Sequence, residues 1–187
     1  IVRKPIPQSV VVFGQRGIKR DDKDYYAAYV MNYILGGGGF SSRLTEEIRE
    51  KRGLAYSVYS YLNPLDHAGL IMGGLGTRND RVATSLDILR AEWARIIRHG
   101  VSDDELRSAK NYINGSFPLR LGSSQRIANL LVAIRVSNLG IDYFDRRPEL
   151  INAVSRDQIR NVARRLLEPD GLTIVVVGNP KDLESTP

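Results

Sequence analysis

Cysteine is absent from this 187-residue chain, which excludes disulfides, thiolate-ligated zinc and thiol nucleophiles together. The absence does not fix a compartment, because cytosolic and periplasmic proteins can both do without cysteine. Histidine is nearly absent as well, with His67 in a turn and His99 at a helix end as its two occurrences. A hydrolytic zinc site needs two histidines a helical turn apart with a carboxylate close by, so no metal ligands are expected in this chain. Ser41 and Ser42, in "GFSSR", have no identifiable base and are expected to act as helix caps. No apolar run is long enough to cross a bilayer. The chain opens on Ile1 with no charged-then-apolar leader after it, so a processed product or an excised domain is expected.

What is present is ordinary for a globular protein. A 42% hydrophobic and 26% charged composition over residues 1–187 suits one domain with a substantial core. The net charge of +6 raises a nucleic-acid reading. The basic residues, however, are scattered through "REKR", "RAEWARIIRH" and "NVARR", mixed with acidic and apolar neighbours. A single-strand binder would show a clustered stripe interleaved with aromatics, so a solvated basic surface is the preferred reading.

Hydrophobic spacing lays out the elements. Ser9–Gln15 is β-branched and reads as a strand. The stretch from Asp22 to Leu35 is apolar on more than one face and reads as a buried helix stopped by Gly36–Gly39. A short helix, "SSRLTEEIREKR", is closed by Gly53. Leu54–Leu62 has strand composition, and two-residue alternation puts Leu54, Tyr56, Val58 and Leu62 on one face. "NPLDHAG" is turn chemistry, returning Gly69–Gly76 as an antiparallel partner. Val82, Leu86, Leu89, Trp93 and Ile96 mark a long amphipathic helix. Capping boxes at Ser102–Glu105 and Ser155–Gln158 open two more. Between them a helix from about Ser124 should bury Ile127, Leu131 and Ile134. Leu172–Gly178 reads as a closing strand buried on both faces. The predicted class is α+β, a mostly antiparallel sheet with helices packed on one side.

The least ordinary stretch is "GGGGFSSRLTEEIREKRGLAYSV". Four glycines before a helix invite a phosphate reading, yet Phe40 stands where a Walker loop needs lysine. A dinucleotide fingerprint would need a strand before the glycines, and here a helix precedes them. Gly36, Gly37, Gly38 and Gly39 remain a candidate loop that lets another chain approach closely, although a helix stop needs only one or two of them. Arg49 ends the short helix and Tyr56 begins the next strand, so both side chains can converge beside Gly53. Taken singly, the arginine complements a helix dipole and the tyrosine packs half-buried.

"ILGGGGFSSRLTEEIREKRGLAYSVYS" strongly resembles the non-catalytic half of the pitrilysin/insulinase-type zinc peptidases, which include the mitochondrial processing peptidases. "GVSDDELRSAKNYINGSFPLRLGSSQRIANLL" and "LTIVVVGNP" are similar to the same domain, so the resemblance covers nearly the whole chain. In that family one homologous half carries the zinc motif H-x-x-E-H and the other closes over the substrate. This chain contains no such motif, so the resemblance implies the closing half, inactive alone, with zinc on a catalytic partner half and none bound here. The family's arginine–tyrosine pair maps onto Arg49 and Tyr56, implying donors to substrate. Gly36–Gly39 resemble a shortened form of the family's glycine-rich, substrate-contacting loop. The implied partners are a homologous catalytic half, on a separate chain or the same polypeptide, and a peptide. A homodimer of the isolated domain is a further arrangement. Two alternatives stay open: a non-proteolytic assembly subunit of the same fold, and a basic nucleic-acid module. Exported bacterial relatives incline the compartment toward the periplasm.

Overall fold

The computed structural model describes residues 1–185. Five strands form one sheet in the order β1-β5-β2-β4-β3: β1 (Val2–Arg3), β2 (Gln8–Arg16), β3 (Ala55–Pro64), β4 (Gly69–Arg78) and β5 (Thr173–Gly178). All pairings are antiparallel except the short parallel contact of β1 with β5. The β3–β4 hairpin turns through exposed Asp66 and His67, with the Leu65 amide donating to the Ala68 carbonyl at 2.8 Å. The sheet is mostly antiparallel, as the sequence predicts, and the β1–β5 contact makes it mixed.

Alternation along the strands separates the two faces of the sheet. Val11, Phe13, Val58, Ile71, Leu75 and Val176 are buried, whereas Val10, Val12, Tyr59, Tyr61 and Val175 point to solvent. The closing strand is therefore covered on one face only. Its valine run hides that fact, because β-branched residues suit a pleated strand whether or not both faces are covered.

The covered face meets helices α1 (Tyr25–Asn32), α2 (Val82–His99), α3 (Asp103–Gly115) and α6 (Arg156–Leu166). Trp93 on α2 is fully buried and stands edge-on to Phe13 of β2, with ring centroids 6.1 Å apart. Such a pair adds about 1 kcal/mol beyond its buried area. Both predicted capping boxes form, with reciprocal bonds between Ser102 and Glu105 and between Ser155 and Gln158.

Two helices depart from the sequence pattern. Helix α4 (Ser124–Val136) buries Ile134 alone, while Ile127, Leu131, Val132 and Val136 are exposed. The apolar spacing is real, but among the described residues no layer covers it. Helix α5 (Tyr143–Asn152) follows, and its Arg147 is buried.

Candidate functional site

The site is built where α1 runs into β3. The helix ends within the glycines, as expected, but first widens into a π-helical turn over Tyr33–Gly37. This turn lies against edge strand β3, where Asn32 and Ser60 exchange two bonds: Asn32 Nδ2 donates to the Ser60 carbonyl at 3.2 Å and Ser60 Oγ to Asn32 Oδ1 at 2.8 Å. Gly36 is buried at this contact, and a Cβ there would sit 2.8 Å from the Ser60 amide nitrogen and 2.9 Å from Leu44 Cδ1. The close approach thus needs a residue without a side chain. It also occupies part of the free edge of β3, a common device against edge-to-edge pairing.

Further along, Gly39 takes a φ of +58° with open space around its Cα. The chain turns there and delivers Phe40 to the surface, 70% exposed. Of the four candidate glycines, Gly36 is therefore enclosed by this chain's own packing, while Gly37 and Gly39 are exposed and Gly38 is half-buried.

Neither candidate cap serves that role. Ser41 is exposed, and Ser42 Oγ donates to the Gly39 carbonyl at 2.8 Å and pairs with the Thr45 hydroxyl at 3.0 Å. The next turn, Thr45–Glu50, is π-helical and has no side-chain cap. Its i to i+5 bonding differs from an α-helix in hydrogen-bond register, which apolar spacing alone does not reveal. The Gly53 amide donates to the Arg49 carbonyl at 2.8 Å and closes the turn.

A buried ion pair fixes this segment to the helical layer. Arg43, with a side chain 8% exposed, holds Glu105 of α3 by two bonds, Nε to Oε1 at 2.6 Å and Nη2 to Oε2 at 2.9 Å. Arg43 Nη2 also donates to the Gly100 carbonyl at 3.0 Å. Burial acts to raise the Glu105 pKa, but the Arg43 guanidinium and the Ser102 amide outweigh it and hold the carboxyl down to about 2. Farther along the turn, Glu47 accepts from Lys51 at 2.7 Å and from Arg52 at 2.5 Å. Those bonds keep its carboxyl below the usual range.

Arg49 turns the other way, toward two aromatic rings. Its guanidinium carbon lies 4.7 Å from the Phe40 ring centroid and 5.4 Å from that of Tyr56. Both are cation–π distances, each worth about 0.5–1 kcal/mol at an exposed site. The Glu50 carboxylate approaches Arg49 Nε at 3.5 Å, a weak exposed contact. Tyr56 is 81% exposed, which departs from the predicted alternation. The register of β3 against β4 shifts between Ala55 and Ser57, and this bulge releases Tyr56 from the inward row of Ala55 and Val58. Bulges commonly re-aim a side chain in this way. The Leu54 carbonyl before it is held by Thr77 Oγ1 at 2.5 Å.

The structure thus gathers Phe40, Arg49 and Tyr56 on one surface. Phe40 is the member that sequence reasoning did not assign; its signal was a large apolar residue placed directly after a glycine run. Among the described residues no three His, Cys, Asp or Glu side chains cluster to hold a metal, so the donor set here does not fit a zinc ion. Among the described residues no helix is long and apolar enough to cross a membrane.

Residues 1–113 match the family model described as the peptidase M16 inactive domain. An uncharacterized zinc protease of Streptomyces coelicolor is 34% identical over 100% of this chain and 40% of its own length. A protein of Helicobacter pylori described as a non-peptidase homolog is 31% identical over 97% of this chain and 42% of its length. The crystal structure of a peptidase M16 inactive domain from Pseudomonas fluorescens superposes with a TM-score of 0.87 at 33% identity, covering 98% of this chain and 43% of that one. The chain therefore spans about 40% of the length of the curated relatives it matches. It belongs to the M16 peptidase family, as an inactive domain of that family.

Proposed function

We propose that this domain closes over an extended peptide and lends Arg49 and Tyr56 as hydrogen-bond donors to a hydrolytic centre on a homologous catalytic half. The carrying observation is the surface cluster in which the Arg49 guanidinium lies within cation–π distance of both the Phe40 and Tyr56 rings. Ring contacts hold the guanidinium in place while leaving in-plane N–H groups for a ligand oxygen. The bulge at Tyr56 turns a phenol outward beside them. When a peptide carbonyl is attacked, its oxygen gains negative charge. A positioned guanidinium and phenol hydroxyl stabilise that charge at no reorganisation cost. Supplying them from a second half makes completion of the site depend on closure over substrate. Zinc and its general base belong to the other half in this reading.

Two further observations support a second half. The chain is about 40% of its relatives' length, and the exposed Ile127, Leu131, Val132 and Val136 on α4 form an apolar surface of the kind that marks an interface. Mixing this chain with a catalytic half bearing H-x-x-E-H and following cleavage of a fluorogenic peptide tests the reading. Hydrolysis is expected only from the mixture or from the intact polypeptide containing both halves. Equal hydrolysis by the catalytic half alone would refute it.

The non-peptidase description of the Helicobacter pylori relative favours a second reading, a non-proteolytic assembly subunit. A native partner half lacking H-x-x-E-H would decide for that reading.

A further inference from the structure

At the opposite end of β3 from Tyr56, a separate cavity of about 240 Å³ lies between α1, α4 and α5. Pro64 is on its wall, eight residues along β3 from Tyr56, or about 26 Å at the rise of an extended strand. Three arginines line it; Arg120 is exposed, and Arg147 and Arg20 are the more enclosed two. Arg147 of α5 is 5% exposed, lies 4.2 Å over the Phe117 ring and makes one bond, from Nη1 to the Ile113 carbonyl at 3.4 Å. Arg20 lies 3.9 Å over the Tyr25 ring and donates from Nη2 to the hydroxyls of Tyr26 at 3.1 Å and Tyr143 at 3.3 Å.

Buried arginine is rare unless it is paired with an anion. Among the described residues neither of these guanidiniums has a carboxylate within 4.0 Å. The other buried arginine, Arg43, has Glu105. The cavity tyrosines do not supply the missing charge. Burial pushes the Tyr25 hydroxyl up to about 12, and the Tyr143 hydroxyl is also raised, chiefly by burial. Neither carries a negative charge near neutral pH. A guanidinium has five N–H groups, so most of those on Arg147 remain available. Leu130, Ala133, Ile134 and Ile151 give the wall an apolar side, and Arg120 and Ser137 add polar groups to it.

We propose that this cavity binds a small carboxylate carried on a compact apolar body. The planar fork of a guanidinium matches a carboxylate edge, and the apolar wall accommodates a branched aliphatic group. The volume lies just below the usual range of small-ligand sites, about 300–1,000 Å³, so the ligand is the size of one amino-acid residue. A peptide C-terminus with an apolar last residue and a free branched-chain acid share this chemistry. The site is independent of the Arg49 and Tyr56 reading and is tested on the 187-residue chain alone.

Arginine Nε–Hε NMR signals are followed with thermal unfolding while the chain is titrated with N-acetyl-leucine, N-acetyl-leucinamide, isovalerate and inorganic phosphate. N-acetyl-leucine is expected to move the Arg20 and Arg147 signals in a saturable way and to raise Tm by mass action. Its amide, which has no negative charge, is expected to do neither. N-acetyl-leucine binding at least about fivefold tighter than isovalerate identifies a peptide end, and equal binding identifies a simple acid; either supports the site. Arg147→Met and Arg20→Gln should each weaken binding about tenfold or more. Should Arg147→Met fail to fold, the less buried Arg20→Gln carries the test. The proposal is overturned by equal responses to acid and amide. It is equally overturned by no response to either carboxylate at about 10 mM, by a response to phosphate alone, or by unchanged binding in folded Arg20→Gln.

Discussion

Replacing Glu105 with glutamine removes one charge from the bond that ties the candidate site to the helical layer. In the folded protein the Glu105 carboxyl is held from its ordinary 4.5 down to about 2. That drop corresponds to roughly 3 kcal/mol of stability at neutral pH. The Glu105 side chain is 31% exposed, and screening by water reduces the figure to about 2 kcal/mol. Arg43 is almost wholly enclosed, so its charge would face a neutral amide with little solvent to compensate. The pH dependence has a definite sign. A depressed carboxyl pKa stabilises the fold fully above about 4.5, and that contribution disappears as pH falls through about 2. Urea unfolding of the native chain and Glu105→Gln should therefore differ by about 2 kcal/mol at pH 7 and by about 1 kcal/mol at pH 3. Hydrogen exchange should quicken in residues 39–50 of the variant ahead of the sheet. A difference below about 0.5 kcal/mol at pH 7, or one that does not change with pH, would refute the reasoning.

Gly36→Ala should cost about 1–3 kcal/mol in denaturant unfolding, since its Cβ would press on the Ser60 amide nitrogen at 2.8 Å; an unchanged midpoint would count against the close packing. Phe40→Leu should keep the fold and lower turnover of the assembled enzyme roughly two- to fivefold, the loss of one cation–π contact at Arg49. Asp22→Asn, which weakens a partly exposed pairing with Arg165 at 3.0 Å, should change stability by less than about 1 kcal/mol. Equilibrium dialysis of the isolated chain should find no stoichiometric zinc, because among the described residues His67 and His99 belong to no group of three candidate ligands.

The sequence made part of this legible, and the physical reasons divide cleanly. Strand and helix identities followed from periodicity, and the capping boxes at Ser102 and Ser155 followed from side-chain chemistry that acts within three residues. The short turn let the sequence place Arg49 and Tyr56 near each other, but it was the family resemblance that singled them out as a pair. What escaped depends on hydrogen-bond register or on distant surfaces. A bulge at Tyr56 moves one residue out of an alternating row without changing composition. The π turns at Tyr33–Gly37 and Thr45–Glu50 carry the same apolar residues that an α-helix would. The stripe of α4 has helical spacing, but burial of Ile127 and Leu131 would need a covering layer, and spacing cannot say which chain supplies one. Phe40 gained its place only through the path of the chain at Gly39. The Arg20 and Arg147 cavity joins residues more than a hundred positions apart, which no local pattern foretells.

The central claim is that this fold contributes charge-stabilising donors to a reaction whose metal lies elsewhere. Measuring kcat for Tyr56→Phe in the assembled, two-half enzyme tests it most directly. The account predicts a fall of about a hundred- to a thousandfold, with KM and thermal stability close to those of the native enzyme. An unaltered kcat in a folded, fully assembled variant would contradict it.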